Sequence, residues 1–132
     1  FLIPKIVNHF AKKMSFIELG NLDVEREFSD VRDVVDSYYK LLKSPSIVGT
    51  FNICSGKGHS LRNIISIMEN IAGYKIEVRV NPDFVRANEI KRLIGSNKKI
   101  SIAIGQQSNS HLENTLQWMF KSHVLDNLNS SK

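Results

Sequence analysis

The sequence predicts an α/β fold with a small sheet. Along the 132 residues, segments with apolar residues at helical spacing alternate with short segments in which every second residue is apolar and its neighbours are charged. Capping residues, glycines and prolines separate these segments. The predicted order is helix, strand, strand, helix, strand, helix, strand and two helices. A chain of this length forms one domain at most. A sheet with so few strands is too small for a whole dinucleotide-binding domain.

The first elements are a helix and two short strands. Pro4 is tolerated in the first turn of the helix, whose apolar face consists of Ile3, Ile6, Val7, Phe10, Ala11 and Met14. Residues 16–19 form a candidate strand that ends at Gly20. From Val24 to Phe28 charged and apolar residues alternate, which is typical of a half-buried strand.

A second amphipathic helix follows. Asp30 is a suitable N-cap, and Asp33 lies in the first turn, where the helix dipole favours an anion. The helix is expected to end near Ser44 and Pro45. Its apolar stripe, which we expect to be buried, consists of Val31, Val34, Val35, Tyr38, Leu41 and Leu42.

The middle of the chain is predicted to contain two strands around a third helix. The first strand covers residues 50–54, and a turn of sequence SGKGHS follows it. Ser60 is expected to cap the helix and Gly73 to end it. The second strand covers residues 76–80, where apolar and charged residues alternate.

The last third is predicted to contain little sheet. Residues 81–83 form a turn, and residues 84–95 are basic and irregular. Short helices are expected at residues 98–104 and 112–124, and the tail, residues 126–132, is expected to be disordered.

The net charge of +5 narrows the classes of partner. It results from 18 lysines and arginines against 13 acidic residues, and it fits a solvated basic surface, a nucleic acid partner or a small phosphorylated ligand. The basic residues are scattered, and the densest clusters are pairs such as Lys12–Lys13 and Lys98–Lys99. No aromatic residues interleave with a basic stripe, and no zinc-finger or RNA-binding signature is present, which argues against nucleic acid.

Other features bear on the cellular context. No apolar run approaches the roughly 18–20 residues that a membrane span needs, so no membrane partner is expected. Cys54 is the single cysteine, which excludes an internal disulfide framework; we expect it to be buried and the protein to be cytoplasmic. The chain begins at Phe1 and enters a helical pattern at once, which suggests a fragment or a processed piece.

Several patterns resemble catalytic motifs without meeting their requirements. SGKGHS lacks the G-x-x-x-x-G-K-[ST] of a phosphate-binding loop. Tyr39 and Lys43 have the Y-x-x-x-K spacing of an acid–base pair, but no glycine-rich fingerprint precedes them and both fall off the apolar stripe. The histidines lack ligand spacing and no G-x-S-x-G is present, so neither a metal site nor a self-contained catalytic site is expected.

Arg26 and Arg86 are the remaining candidates for chemistry. A guanidinium offers planar, forked donors that bind a phosphate bidentately, so two arginines from different segments could hold both phosphates of a diphosphate. The alternative is that each is a surface residue paired with a neighbour such as Glu27 or Glu89.

Four segments carry a resemblance to a known family. They are FLIPKIVNHFAKK, FIELGNLDVEREFSDVRDVVDSYYKLL, GTFNICSGKGHSLRNIISIM and VNPDFVRANEIKRLIGSNKKI. In this order they resemble the C-terminal part of extended short-chain dehydrogenases that act on nucleotide sugars, in particular GDP-mannose 4,6-dehydratases and GDP-4-keto-6-deoxymannose reductases. The resemblance extends from Phe1 to about Trp118, and its GNLD-x-x-R-x-F and R-x-x-E-I segments are specific when they occur together.

The resemblance implies a small C-terminal substrate-binding lobe over residues 1–125, without the N-terminal Rossmann domain. In that family the Rossmann domain holds NAD(P) and the catalytic Tyr–Lys pair. We therefore expect this chain to bind no cofactor and to contain no catalytic residue, although NAD(P) is implied for the full enzyme. Its partners would be a nucleotide-diphosphate sugar, with GDP as the nucleotide, and the Rossmann domain.

The resemblance also assigns roles to individual residues. Arg26 and Arg86 would bind the pyrophosphate, and Lys5 would reach the nucleotide ribose or phosphate. Residues 16–18 would line the base pocket, with Glu18 accepting hydrogen bonds from N1–H and N2–H of guanine. The remaining implied site residues, which would orient the ligand, are Asn21 and Glu89.

The last third departs from the family at three positions. Ala87, Ser96 and Gln106 stand where the family usually has proline, aspartate and tryptophan, and both arginines are unaffected. The sequence thus predicts the substrate-binding portion of an NAD(P)-dependent dehydratase, epimerase or reductase that is not competent alone. The alternative is a stand-alone basic α/β binding module for nucleic acid or a protein partner.

Overall fold

Five α-helices, five short strands and one short 3-10 helix (Pro82–Phe84) follow one another along the residues that the computed structural model describes, which are 1–85, 87–105 and 110–129. The helices are α1 (Leu2–Ala11), α2 (Val31–Leu42), α3 (Leu61–Ala72), α4 (Lys98–Ile104) and α5 (Leu112–Asn129). The strands are β1 (Phe16–Leu19), β2 (Glu25–Glu27), β3 (Gly58–Ser60), β4 (Glu77–Val80) and β5 (Arg92–Leu93). This mixture confirms the predicted α/β class.

The chain divides into two compact units. The first unit contains Phe1–Val24, Ser60–Lys91 and Glu113–Lys132, and the second contains Glu25–His59 and Arg92–Leu112. Each unit is built from segments that are distant in the sequence, so neither is a contiguous domain.

The first unit contains nearly all of the apolar core. Its strands β1 and β4 pair in parallel, with Phe16 opposite Glu77 and Leu19 opposite Val80. Helix α1 packs against β1 and α3. The buried apolar residues of this unit are Ile6, Val7, Phe10, Ile17, Leu19, Val24, Leu61, Ile64, Ile65, Met68, Ile76 and Leu116.

The predicted ends of the helices are confirmed at three capping residues. The Ser60 hydroxyl accepts a hydrogen bond from the Asn63 N–H (3.1 Å), and α3 ends at Gly73, whose φ of 76° is left-handed. Asp30 caps α2, because its carboxylate accepts from the Arg32 N–H at 2.9 Å. The side chains of Ser60 and Asp30 satisfy backbone donors that the helices themselves leave unpaired.

The second unit is a small sheet with two helices. Its strand order is β3–β2–β5, and β2 pairs in parallel with β5, placing Arg26 opposite Leu93. Helix α2 packs against α4. Among the described residues of this unit, Ile100 is the one buried apolar side chain, and Asp30 and Ser37 are the buried polar ones.

Two sheet predictions are wrong in position. Residues 50–54, predicted as a strand, belong to no strand, and a strand occurs instead at β3, inside the predicted turn. Residues 84–95, predicted as irregular, contain β5. A strand is defined by pairing with a neighbour, and the local sequence does not show which segments meet.

The predicted burial of the apolar stripe of α2 is also wrong for most of its residues. Val31, Val35, Tyr38 and Leu42 are 61%, 58%, 58% and 80% exposed. They recur at helical spacing on one face, whereas Ser37 is the buried residue of this helix. The hydrophobic pattern identifies a helix correctly, but the most buried side chain of this helix is the small and polar Ser37, and Val34 and Leu41 of the stripe are half-buried.

Helix α5 is longer than predicted. It continues from Leu112 to Asn129, so residues 125–129, which the sequence placed after the helix, are helical. Residues 130–132 of the predicted tail lie outside the described part of the chain.

Replacing Phe10 by alanine should destabilise the protein by about 3–5 kcal/mol, because this fully buried ring leaves a cavity in the core of the first unit. Its ring packs 5.4 Å from that of Tyr74. The free energy of unfolding, from urea titration followed by circular dichroism, measures the loss. Phe1→Ala is the matched control, since this ring is fully exposed, and it should change stability by less than about 0.5 kcal/mol. Equal effects of the two changes would contradict the assigned core.

Candidate anion-binding site

Arg26 lies on the wall of an open cleft in the second unit. The cleft has a volume of about 530 Å³ and is lined by β2 together with residues 51–54 and 93–95. Arg26 is half-buried, and its Nη1 donates a hydrogen bond to the carbonyl of Glu25 (2.8 Å). Phe51, Ile53 and Ile94 make much of the remaining wall apolar. A guanidinium in such a wall suits an anionic group attached to a larger ligand.

Glu27, the next residue along β2, connects the segments on both sides of this cleft. One carboxylate oxygen accepts backbone N–H groups from Ser55 and from Gly56, the latter at 3.3 Å. The other accepts from the N–H of Gly95 at 3.0 Å. From the sequence, Glu27 is predicted only as a surface partner for an arginine. No local pattern indicates that its carboxylate accepts hydrogen bonds from N–H groups this far away in the chain.

The SGKGHS turn is therefore already occupied by an anion of the protein itself. The N–H groups of Ser55 and Gly56, which a phosphate would need, are bonded to the Glu27 carboxylate. At the following helix the N-cap position is filled by the Ser60 hydroxyl. With their N–H groups bonded in this way, these residues do not fit a dinucleotide phosphate, and the last three residues of SGKGHS form β3 instead of the predicted turn.

Glycine is needed at position 95 because two walls of the cleft meet there. A Cβ atom at Gly95 would lie 2.8 Å from the Cys54 sulfur, closer than real Cβ contacts allow. Cys54 is half-buried rather than buried as predicted. Burial raises the pKa of its thiol, and the nearby negative charge of Glu27 raises it further.

Lys5 and Glu18, two residues predicted to contact the nucleotide, meet in the first unit. The Lys5 ammonium donates to the backbone carbonyl of Glu18 at 2.7 Å and lies 4.8 Å from the centre of the Phe84 ring. The Glu18 side chain is exposed, and its carboxylate is 3.5 Å from the amide nitrogen of Asn81. Phe84 and Asn81 were not predicted as site residues, because their segment reads locally as a turn.

The other predicted site residues are not brought together in the same way. The Asn21 side chain accepts the Asp23 N–H at 3.0 Å, which is a local turn contact. Glu89 is half-buried and belongs to the first unit. Arg86 lies outside the described residues, and Arg26 belongs to the second unit. The pairing of Arg26 with Arg86 therefore stays a prediction.

The Tyr–Lys spacing and the candidate metal ligands are the other sequence patterns. The Lys43 ammonium lies 4.5 Å from the centre of the Tyr39 ring, and both residues are exposed. In the described part of the chain no three His, Cys, Asp or Glu side chains are grouped as metal ligands. The helices described here include none with the length and apolar character required to cross a membrane.

The fold is that of the C-terminal part of extended short-chain dehydrogenases. Within that class, the chain belongs to the GDP-mannose 4,6-dehydratase family, whose model matches residues 1–119. The resemblance found in the sequence is thereby confirmed.

Two curated relatives act on GDP-deoxysugars. The chain is 35% identical over 127 residues to GDP-6-deoxy-D-talose 4-dehydrogenase of Aggregatibacter actinomycetemcomitans, covering 96% of this chain and 43% of that protein. It is 30% identical over 101 residues to GDP-6-deoxy-D-mannose reductase of Pseudomonas aeruginosa, covering 76% of this chain and 33% of that protein. The chain thus spans less than half the length of these relatives.

Solved structures support the same relationship. A proposed epimerase from Burkholderia cenocepacia is 44% identical and superposes with a TM-score of 0.92, over 95% of this chain and 41% of that one. The RMD protein of Pseudomonas aeruginosa, solved with NADPH, is 25% identical with a TM-score of 0.86, over 96% of this chain and 43% of that one.

Proposed function

We propose that this chain is the substrate-binding portion of an NAD(P)-dependent sugar-nucleotide dehydratase, epimerase or reductase, and that its ligand is a GDP-sugar. The observation that carries the proposal is Arg26 on the wall of a cleft of about 530 Å³, in a member of the GDP-mannose 4,6-dehydratase family. Both curated relatives described above carry GDP-deoxysugars in their names. A cytoplasmic location fits this proposal, since the single cysteine has no disulfide partner in the chain.

Arg26 binds a phosphate of the ligand in this proposal. Its planar guanidinium can donate two parallel hydrogen bonds to one phosphate, and its partly buried position strengthens the attraction relative to a fully solvated arginine. The family resemblance supports Arg86 as a second phosphate-binding residue. Asn21 and Glu89 are proposed as residues that orient the ligand.

Glu18 is proposed to recognise the base of the nucleotide. An exposed carboxylate can accept from the two parallel donors of guanine, N1–H and N2–H, whereas uracil offers one such donor. Lys5 supports the strand at this point through its hydrogen bond to the Glu18 carbonyl, and it would reach the nucleotide ribose or phosphate.

The chemistry of the full enzyme would be carried by a part that this chain lacks. The Glu27 carboxylate accepts hydrogen bonds from the backbone N–H groups of the glycine-containing turn. Tyr39 and Lys43 are exposed, and the Lys43 ammonium lies over the Tyr39 ring. The chain is accordingly proposed to be inactive alone. NAD(P) would be bound by a Rossmann domain that supplies the rest of the site.

The exposed face of α2 is the proposed contact for that Rossmann domain. Val31, Val35, Tyr38 and Leu42 form a continuous apolar stripe, and a stripe of this kind is normally covered. More than half of the length of these relatives lies outside the part that matches this chain, and residues from that larger part would cover the stripe. Burying these four side chains would contribute about 1.5–3 kcal/mol each.

Arg26→Ala should weaken the binding of GDP to this chain by about tenfold or more, because the guanidinium supplies charge-assisted bonds to the phosphate. Isothermal titration with GDP measures the dissociation constant. Arg62→Ala is the control, since this exposed arginine pairs with Asp23 in the first unit and should leave affinity unchanged. A salt-sensitive response to a short oligonucleotide, with none to GDP, would instead favour the nucleic-acid-binding alternative.

Glu18→Gln should reduce the preference for GDP over UDP by about tenfold, because the amide presents one acceptor and one donor where guanine needs two acceptors. The ratio of the two dissociation constants is the measurement. Glu113→Gln, an equivalent change on α5, should leave the ratio unaltered. An unchanged ratio in Glu18→Gln would remove the base-reading role from this residue.

The double change Val35→Glu and Leu42→Glu should abolish binding of this chain to a separately expressed Rossmann domain, because charges would replace the apolar contact. The corresponding part of the Burkholderia cenocepacia protein is a suitable partner, and co-purification is the measurement. Val48→Glu changes another exposed valine, which lies outside α2, and should not interfere. Concentration-dependent self-association that the double change removes would show that a second copy covers this face instead.

A further inference from the structure

The strongest unexplained feature of the cleft is the carboxylate of Glu27. It accepts three backbone N–H groups, from Ser55, Gly56 and Gly95. Ser55 and Gly56 directly follow one segment that lines the cleft, residues 51–54, and Gly95 ends the other, residues 93–95. One side chain therefore contacts both segments, and the segment 93–95 is held to β2 also by the pairing of β5 with β2, which places Leu93 opposite Arg26.

Two glycines make this arrangement possible. Gly56 has a φ of 74°, a left-handed conformation that glycine adopts without steric cost, and it turns its N–H toward Glu27. At Gly95 a Cβ atom would lie 2.8 Å from the Cys54 sulfur and 3.5 Å from the Glu27 carboxylate. Gly56 thus supplies the left-handed backbone conformation, and Gly95 the space beside the Cys54 sulfur, that this arrangement requires.

We propose that Glu27 is a positioning residue for Arg26. By holding the two walls against β2, its carboxylate keeps the cleft open at one width and holds the adjacent guanidinium in the orientation that binds a phosphate. This inference rests on the proposed function, in that the bound anion is the diphosphate of a nucleotide. Glu27 does not contact the ligand, because its oxygens are directed to the three N–H groups of the protein.

The charge of Glu27 is compatible with a neighbouring anion site. An unsatisfied carboxylate beside Arg26 would compete with the phosphate for the guanidinium. Three N–H donors stabilise the negative charge of Glu27, so its carboxylate does not compete with the phosphate for the Arg26 guanidinium. Glu25, two residues earlier on the same strand, differs because its carboxylate pairs with Arg92 at 3.0 Å and its side chain is 42% exposed. It supplies a matched control.

The test compares Glu27→Gln, Glu27→Asp and Glu25→Gln in GDP titrations well below the unfolding temperature of each variant. In Glu27→Gln the amide NH₂ would face the N–H of Gly95, so one wall is released and GDP affinity should fall about tenfold. Glu27→Asp keeps the charge but is one methylene shorter, so an intermediate loss is expected. Glu25→Gln should stay within about twofold of the parent protein.

A second measurement follows Arg26 without any nucleotide. The rate at which phenylglyoxal modifies Arg26, measured by peptide mass spectrometry, should rise at least about threefold in Glu27→Gln and stay unchanged in Glu25→Gln. Amide hydrogen exchange at Ser55, Gly56 and Gly95 should accelerate in the same variant. Glu27→Asp serves both measurements if Glu27→Gln fails to fold.

The outcomes distinguish failure of the proposed function from failure of the positioning role. If the parent protein does not bind GDP, the proposed function falls, and the positioning role is decided by the modification and exchange rates. If the amides exchange faster while Arg26 modification and the GDP affinity of the folded protein are unchanged, Glu27 is merely structural and the inference is overturned. Unchanged amide exchange in Glu27→Gln overturns it as well.

Discussion

The three hydrogen bonds accepted by the Glu27 carboxylate join both segments that line the cleft of the second unit to β2, in addition to the pairing of β2 with β5. Hydrogen bonds to a charged group contribute about 1.5–3 kcal/mol each, and little apolar burial accompanies them here, since Ile100 is the one buried apolar residue among the described residues of this unit. The walls beside Arg26 are therefore held mainly by polar contacts. Such contacts are directional, so they define the width of the cleft more sharply than packing alone would.

The two units are stabilised in different ways. The first buries a continuous set of apolar side chains between α1, α3 and the parallel strands β1 and β4, which is sufficient for a core of its own. The second exposes the apolar stripe of α2 and buries Ser37. A helix of this pattern is stable when a partner covers the stripe. This asymmetry agrees with a chain that spans less than half the length of its relatives.

Elements with local signals were predicted well. Asp30, Ser60 and Gly73 define helix ends through contacts within four residues, so composition and spacing are enough to locate them. Strands β1 and β4 were recognised from alternation and from the turns around them. The strand expected at residues 50–54 and the buried stripe of α2 were wrong, because both depend on which distant segment lies alongside.

The sequence by itself determined the α/β class, the family and Arg26 as an anion-binding candidate, because periodicity, caps and ordered motifs are properties of neighbouring residues. Only the tertiary structure decided that Glu27 joins residues 28, 29 and 68 positions away, and that Asn81 and Phe84 stand beside Glu18 and Lys5. Backbone donors are identical at every non-proline position, so no residue type marks which of them a distant carboxylate will reach. Arg26 could be found from its own chemistry, but the contacts that hold its cleft exist only once the chain has folded.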